Sequence, residues 1–228
     1  MIVFRPVLEV LGPDGFALWP VADVGRYDFL PLGGALTPDE VGTAVMSAAT
    51  HNSVAATRNS LASEHDGPGP EGDGPAHDAH PPRPADPVGD FLHGLLAGEN
   101  LFLSGGLWVT DTTTGATLLP GCCNGLEERG DWRELLDGVG WASFGHDPGP
   151  FAERVGDLVR LTVDAEQDGS PVIELPVTEL PRLLADAERD LTDFLRLATE
   201  WAARQLPEHA ALVSAALARA LGLPANAT

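Results

Sequence analysis

The chain predicts an α+β fold: a mainly antiparallel sheet with helices packed on one face and a helix pair at the C-terminal end. Three observations carry this. Apolar segments of strand length come in runs instead of alternating with crossover helices. The turns between them are short and rich in glycine and proline, as antiparallel hairpins require. After Thr178 the apolar residues follow a helical period over about six turns. The missing strand–helix alternation argues against a doubly wound nucleotide-binding sheet.

Ile2 to Leu11 is apolar and β-branched, Gly12-Pro13-Asp14-Gly15 makes a turn, and Phe16 to Val21 resumes, which predicts a hairpin. Pro6 lacks a ladder donor, so the first strand is expected at or near a sheet edge. Thr37-Pro38-Asp39-Glu40 is a capping box with proline at the first helical position. A helix follows, its stripe formed by Val41, Ala44, Val45 and Ala48 and continuing through Val54 and Leu61. His51-Asn52-Ser53 and Asn59-Ser60 are poor helix formers and predict fraying of its second half.

From Ser63 to Asp86 almost nothing is apolar and proline and glycine recur, the composition of a linker. His65, His77 and His80 alternate there with acids, but metal binding by a floppy tract carries a large ordering entropy, and an inert linker is the preferred reading. Asp86-Pro87 caps a short helix with Phe91, Leu92, Leu95 and Leu96 on one side. A second hairpin spans Leu107 to Leu119 after a Gly105-Gly106 break. Asn124, with Glu127 three residues on, predicts the start of a helix that buries Trp132, Leu135 and Leu136.

Strands are expected at Trp141 to Phe144, Phe151 to Val155, Leu158 to Val163 and Val172 to Leu175. The long helix then buries Leu180, Leu183, Leu184, Ala187, Leu191, Phe194, Leu195, Ala198, Trp201 and Ala202. Pro207 separates it from a last helix facing inward through Leu212, Ala216, Leu217, Ala220 and Leu221. Trp19, Trp108, Trp132, Trp141 and Trp201 all fall in predicted elements and read as core. Residues 1–62 and 87–228 are read as parts of one domain, joined by the 63–86 linker.

The charge balance is lopsided: 34 acids face 13 bases, a net charge of -21. All 13 bases are arginine, which removes lysine Schiff bases, pyridoxal phosphate attachment and the phosphate-loop lysine. The arginine-for-lysine bias itself fits a GC-rich bacterial genome. No basic stripe is present, so nucleic acid is not an expected partner. No segment approaches the roughly 18 apolar residues of a membrane span, and the start has no charged segment followed by a long apolar run. A cytoplasmic location is expected, in keeping with two adjacent cysteines that make no disulfide framework.

One chemical constellation emerges: Cys122 and Cys123, placed before a helix start, with His146 and Asp147 in a glycine- and proline-rich loop. A thiol at a helix N-terminus, an imidazole to take its proton and a carboxylate to orient that imidazole suit nucleophilic catalysis. The order and spacing match no cysteine-hydrolase signature, and small structural cysteines with Asp147 as a loop cap are the competing reading. As metal ligands the set looks poor, because adjacent cysteines do not easily reach one tetrahedral ion and no C-x-x-C or H-x-x-x-H pair occurs. No cofactor is expected.

The order of elements in the C-terminal half is similar to that of bacterial immunity proteins of the SUKH type, which block toxins by binding them. The likeness is carried by element order and by no motif. The expectation is a non-catalytic interaction protein that offers an acidic surface to a basic partner protein. The alternative is a small hydrolase or transferase working through Cys122 or Cys123 with His146 and Asp147.

Overall fold

The structure is a computed structural model and describes residues 1–63, 86–137 and 140–224. It is an α+β fold in which the strands are divided between two four-stranded antiparallel sheets. Strands β1 (Ile2–Glu9), β2 (Phe29–Pro31), β3 (Gly105–Asp111) and β4 (Thr117–Leu118) form the first, in the order β2-β1-β3-β4. Strands β5 (Trp141–Ser143), β6 (Phe151–Val155), β7 (Leu158–Thr162) and β8 (Val172–Pro176) form the second as a meander. The helices are α1 (Pro38–Ser63), α2 (Pro87–Ala97), α3 (Asp131–Asp137), α4 (Leu180–Gln205) and α5 (Ala210–Ala220). No helix among the described residues is long and apolar enough to cross a membrane.

Helix starts follow their local chemistry. The Thr37 amide donates to Glu40 Oε2 at 2.7 Å and the Glu40 amide to Thr37 Oγ1 at 3.3 Å, a closed capping box. The Gly89 amide donates to Asp86 Oδ1 at 2.6 Å and caps α2. Helix α4 buries each of the ten residues its periodicity selects. In α5 and at its C-cap the expected Ala216, Leu217, Ala220 and Leu221 are buried, and only at the first turn does the face differ, with Val213 inside and Leu212 58% exposed.

The first hairpin differs from expectation. Phe16 to Val21 is not a strand; β1 pairs instead with β2, through Val7↔Pro31 to Glu9↔Phe29, and with β3 along its length. The aromatic residues of that segment turn inward: Trp19 is buried, its indole N–H donates to the Gly42 carbonyl at 2.9 Å, and its ring meets Trp201 edge-on. Strand β1 therefore lies next to the edge, one strand in, with the short β2 outside it. Pro6 is tolerated because β2 ends beside it, where only the Pro6 carbonyl is used, by the Leu32 amide at 2.8 Å. Gly105 and Gly106 likewise sit within β3 and do not break it.

Two apolar cores result, and α4 runs through both. Its C-terminal half packs with α1, α2, α5, Trp19 and Leu8. Its N-terminal residues Leu180, Leu183, Leu184 and Ala187 pack with the inner face of the second sheet and with Phe4, Leu107 and Val109 of the first. Trp132 of α3 connects the two sheets, stacking on Phe144 at 4.2 Å and meeting Phe4 edge-on at 4.9 Å. Trp141 departs from the expected core placement: it is 55% exposed and lies over Phe151 on the open face of the second sheet.

Helix α1 does not fray at His51-Asn52-Ser53 but continues to Ser63, because the two polar residues are buried and used. Asn52 Nδ2 donates to the Ala48 and Phe102 carbonyls at 2.8 and 3.0 Å, and the Phe102 amide returns a bond to Asn52 Oδ1 at 3.0 Å. This amide clamp pins the segment leading into β3. Asn52→Ala is expected to lower stability by about 2 kcal/mol, since it strands two backbone groups. A shifted urea midpoint at unchanged slope measures it. The side chains of Val54 and Leu61, and residues 64–85 with His65, His77 and His80, lie outside the described residues.

Candidate functional site

The four residues singled out in the sequence meet on two loops, Pro120–Gly125 after β4 and Phe144–Pro150 after β5. The loops are joined backbone to backbone. The Cys122 amide donates to the His146 carbonyl at 2.6 Å, the His146 amide to the Cys122 carbonyl at 3.2 Å, and the Gly121 amide to the Phe144 carbonyl at 2.9 Å. This contact explains the local glycine content. A Cβ on Gly121 would run into the Pro148 carbonyl oxygen and the His146 amide, and Gly145, at φ +99°, lies against the Gly121 and Cys122 backbone.

Cys123 has φ 66° and Asp147 φ 50°, both in the left-handed region. The left-handed turn at Cys123 swings its thiol beside that of Cys122, with Sγ···Sγ at 3.4 Å, a contact between two thiols and not a bond. His146 Nδ1 lies 3.1 Å from Asp147 Oδ2. One ring nitrogen of His146 and the two sulfurs all lie within 4.8 Å of one another, and all three residues are exposed. The left-handed backbone at Cys123 brings the two adjacent sulfurs to the same side.

The electrostatics are those of a proton-rich cluster. Hydrogen bonding to Asp147, and then to Cys123, raises the His146 pKa above that of an ordinary histidine. The Cys122 thiol is pushed up by its hydrogen bond to Cys123, by partial burial and by the nearby charges of Cys123, Glu9 and Asp147. The helix start expected just after the cysteines lies further along the chain. A 3₁₀ turn, Leu126–Gly130, follows the cysteines, and its cap is Gly125, whose amide donates to Glu128 Oε2 at 3.3 Å, one residue later than the Asn124 cap expected. Asn124 points inward instead, and its Nδ2 donates to the Gly105 carbonyl at 2.6 Å.

Beneath these loops lies a polar network that sequence reasoning missed. Ser104 bridges to Gly125, its hydroxyl donates to Glu9 Oε2 at 2.5 Å, and its amide donates to Nδ1 of buried His51 at 3.3 Å. His51 is 7% exposed, and its Nε2 has no partner among the described residues. Burial drives its pKa down to about 4, so the ring is neutral. A signal for it was present: His51 and Asn52 continue the inward stripe of Ala44, Val45 and Ala48 at helical spacing.

Two cavities lie elsewhere, and none of the four residues lines them. One, of about 220 Å³, is bounded by Glu127, Arg129, Arg133 and Glu188, with Arg133 and Glu188 ion-paired across it. The other is a groove of about 330 Å³ between the Leu30–Leu36 segment and α4, carrying Arg5, Glu40 and Asp190. Gly33 and Gly34 form its lip against Asp190 and Asp193. Burial, and next the charge of Asp193, raise the Asp190 carboxyl above the usual range, against the lowering effect of Arg189 and Arg5.

Comparison with known protein families, with curated proteins and with solved structures finds no match.

Proposed function

We propose that this chain is a non-catalytic binding protein whose acidic groove receives a basic segment of a partner protein. The observation that carries this reading is an Asp190 carboxylate that lines the groove, with Asp193 beside the same glycine lip and, among the described residues, no ion pair to either. Arg182 and Arg189 both close on Asp186, and Arg196 closes on Glu200, yet among the described residues neither Asp190 nor Asp193 is in an ion pair. Two carboxylates held together beside a backbone lip without side chains are stabilised by an arriving cation, and the surplus of 34 acids over 13 bases speeds its approach. Retention of a partner from an extract of the source organism tests this. The wild-type chain is expected to hold it at low salt and release it at moderate salt, and Asp190→Asn/Asp193→Asn is expected to hold none. Equal retention by the double variant, or no retained protein at either salt, would count against the groove.

A second reading, a cysteine-dependent hydrolase or transferase, is favoured by the approach of sulfur, imidazole and carboxylate at Cys123, His146 and Asp147. Against it stand the exposure of all four residues and the raised Cys122 pKa, where a nucleophile needs a lowered one. Alkylation by iodoacetamide separates the two readings. Cys122 is expected to react no faster at neutral pH than a free thiol, with a rate midpoint above that of an ordinary cysteine; selective rapid modification would favour the enzyme.

A further inference from the structure

We infer that Cys122, Cys123 and His146 bind a zinc ion through two thiolates and one imidazole nitrogen, leaving its fourth coordination position open. Two sulfurs and a ring nitrogen are the donor set a d¹⁰ ion prefers, and three protein donors with one vacant position is a recurrent zinc arrangement. The spacing is close to what the ion needs. A tetrahedron with metal–sulfur bonds of about 2.3 Å has edges of about 3.8 Å. The sulfurs are 3.4 Å apart and every donor pair lies within 4.8 Å, so shifts of a few tenths of an ångström to about 1 Å close the site.

The donors are also held in place. The reciprocal backbone bonds between Cys122 and His146 fix the two loops against each other, and the left-handed Cys123 aims its sulfur at the same point as Cys122. Asp147 at His146 Nδ1 supplies the carboxylate–imidazole pairing seen behind zinc-bound histidines, since an imidazole whose Nδ1–H is held by a carboxylate offers its Nε2 lone pair. Negative charge from Glu9 and Asp147 faces the cluster. On binding, each thiol gives its proton to solvent as its sulfur–zinc bond forms, and where His146 carries its second proton that proton leaves to solvent as well, so two protons are released per ion from the neutral ring and three from the charged one. The inference uses none of the groove residues and stands or falls apart from that reading.

Anaerobic titration of the reduced full-length chain with Co²⁺, followed by displacement with Zn²⁺, tests it. One equivalent of Co²⁺ is expected to give thiolate-to-cobalt charge-transfer absorption, Zn²⁺ to abolish it, and bound Zn²⁺ to shield both thiols from an aromatic disulfide reagent. Cys122→Ser, Cys123→Ser and His146→Ala are each expected to weaken binding by more than about 100-fold, a larger loss than removal of an outer-shell partner produces. All three positions are exposed, so an unchanged circular dichroism spectrum is expected for each variant. His65→Ala/His77→Ala/His80→Ala is the control for the three histidines of the 63–86 segment and is expected to leave the absorption and affinity unchanged. Lack of the charge-transfer band, a band that survives the cysteine or His146 substitutions, or loss of affinity in the triple-histidine variant would overturn the inference.

Discussion

Trp132→Ala is expected to cost about 3–5 kcal/mol of folding stability, the largest effect of any single substitution near the site. The side chain is 2% exposed and lies in the core that holds buried residues of both sheets. Its removal opens a cavity between Phe4 of β1 and Phe144, which directly follows β5 and is tied by its backbone to Gly121 and Pro150, so neither ring can move in without pulling the backbone that holds it. Phe144 stands two residues before His146, and its carbonyl takes the Gly121 amide. The damage should therefore reach the loops: amide exchange at Gly121, Cys122 and His146 is expected to speed up more than exchange in α1 or α5. Urea denaturation measures the stability, and a loss below about 1 kcal/mol would mean that the indole is not the joint described above.

Acidification provides the second large effect. His51 is neutral in the fold, with a pKa of about 4, and titrates as an ordinary histidine, near 6.5, once unfolded. Between these values the unfolded chain binds the extra proton, so stability rises with pH across that window. The contribution is complete above about pH 6.5 and is lost as pH falls through 4, an amount on the order of 3 kcal/mol. Protonation also ends the ability of Nδ1 to accept the Ser104 amide and leaves a charge inside the network that supports Gly125 and the cysteines. His51→Leu is expected to flatten the fall of stability between pH 6.5 and 4 relative to wild type. Parallel pH profiles for the two proteins would show that His51 is not the group responsible.

What was legible in the sequence was whatever depends on neighbours along the chain. The Thr37 and Asp86 caps, the ten inward residues of α4 and the β6–β8 meander rest on spacing and capping chemistry over a few residues. What was not legible depends on partners far apart. Strand β2 is three residues long and shows no alternation; it exists because β1 offers Val7 to Glu9 a second neighbour. Trp19 reads as a strand residue until Gly42 offers a carbonyl to its indole. The residue types of the candidate site were readable, and their convergence was not, because it depends on a left-handed backbone at Cys123. The contact among Glu9, Ser104 and His51 was not legible because they lie in three segments that meet only in the folded chain.

The proposed docking of a basic segment at the Asp190 groove is tested most directly by a peptide titration followed residue by residue. With ¹⁵N-labelled protein and a short arginine-rich peptide, the largest shift changes are expected in the Gly33–Leu36 amides and in α4 around Asp190 and Asp193. They should shrink with added salt and vanish in Asp190→Asn/Asp193→Asn. Shifts scattered evenly over the surface, or unchanged in the double variant, would contradict it.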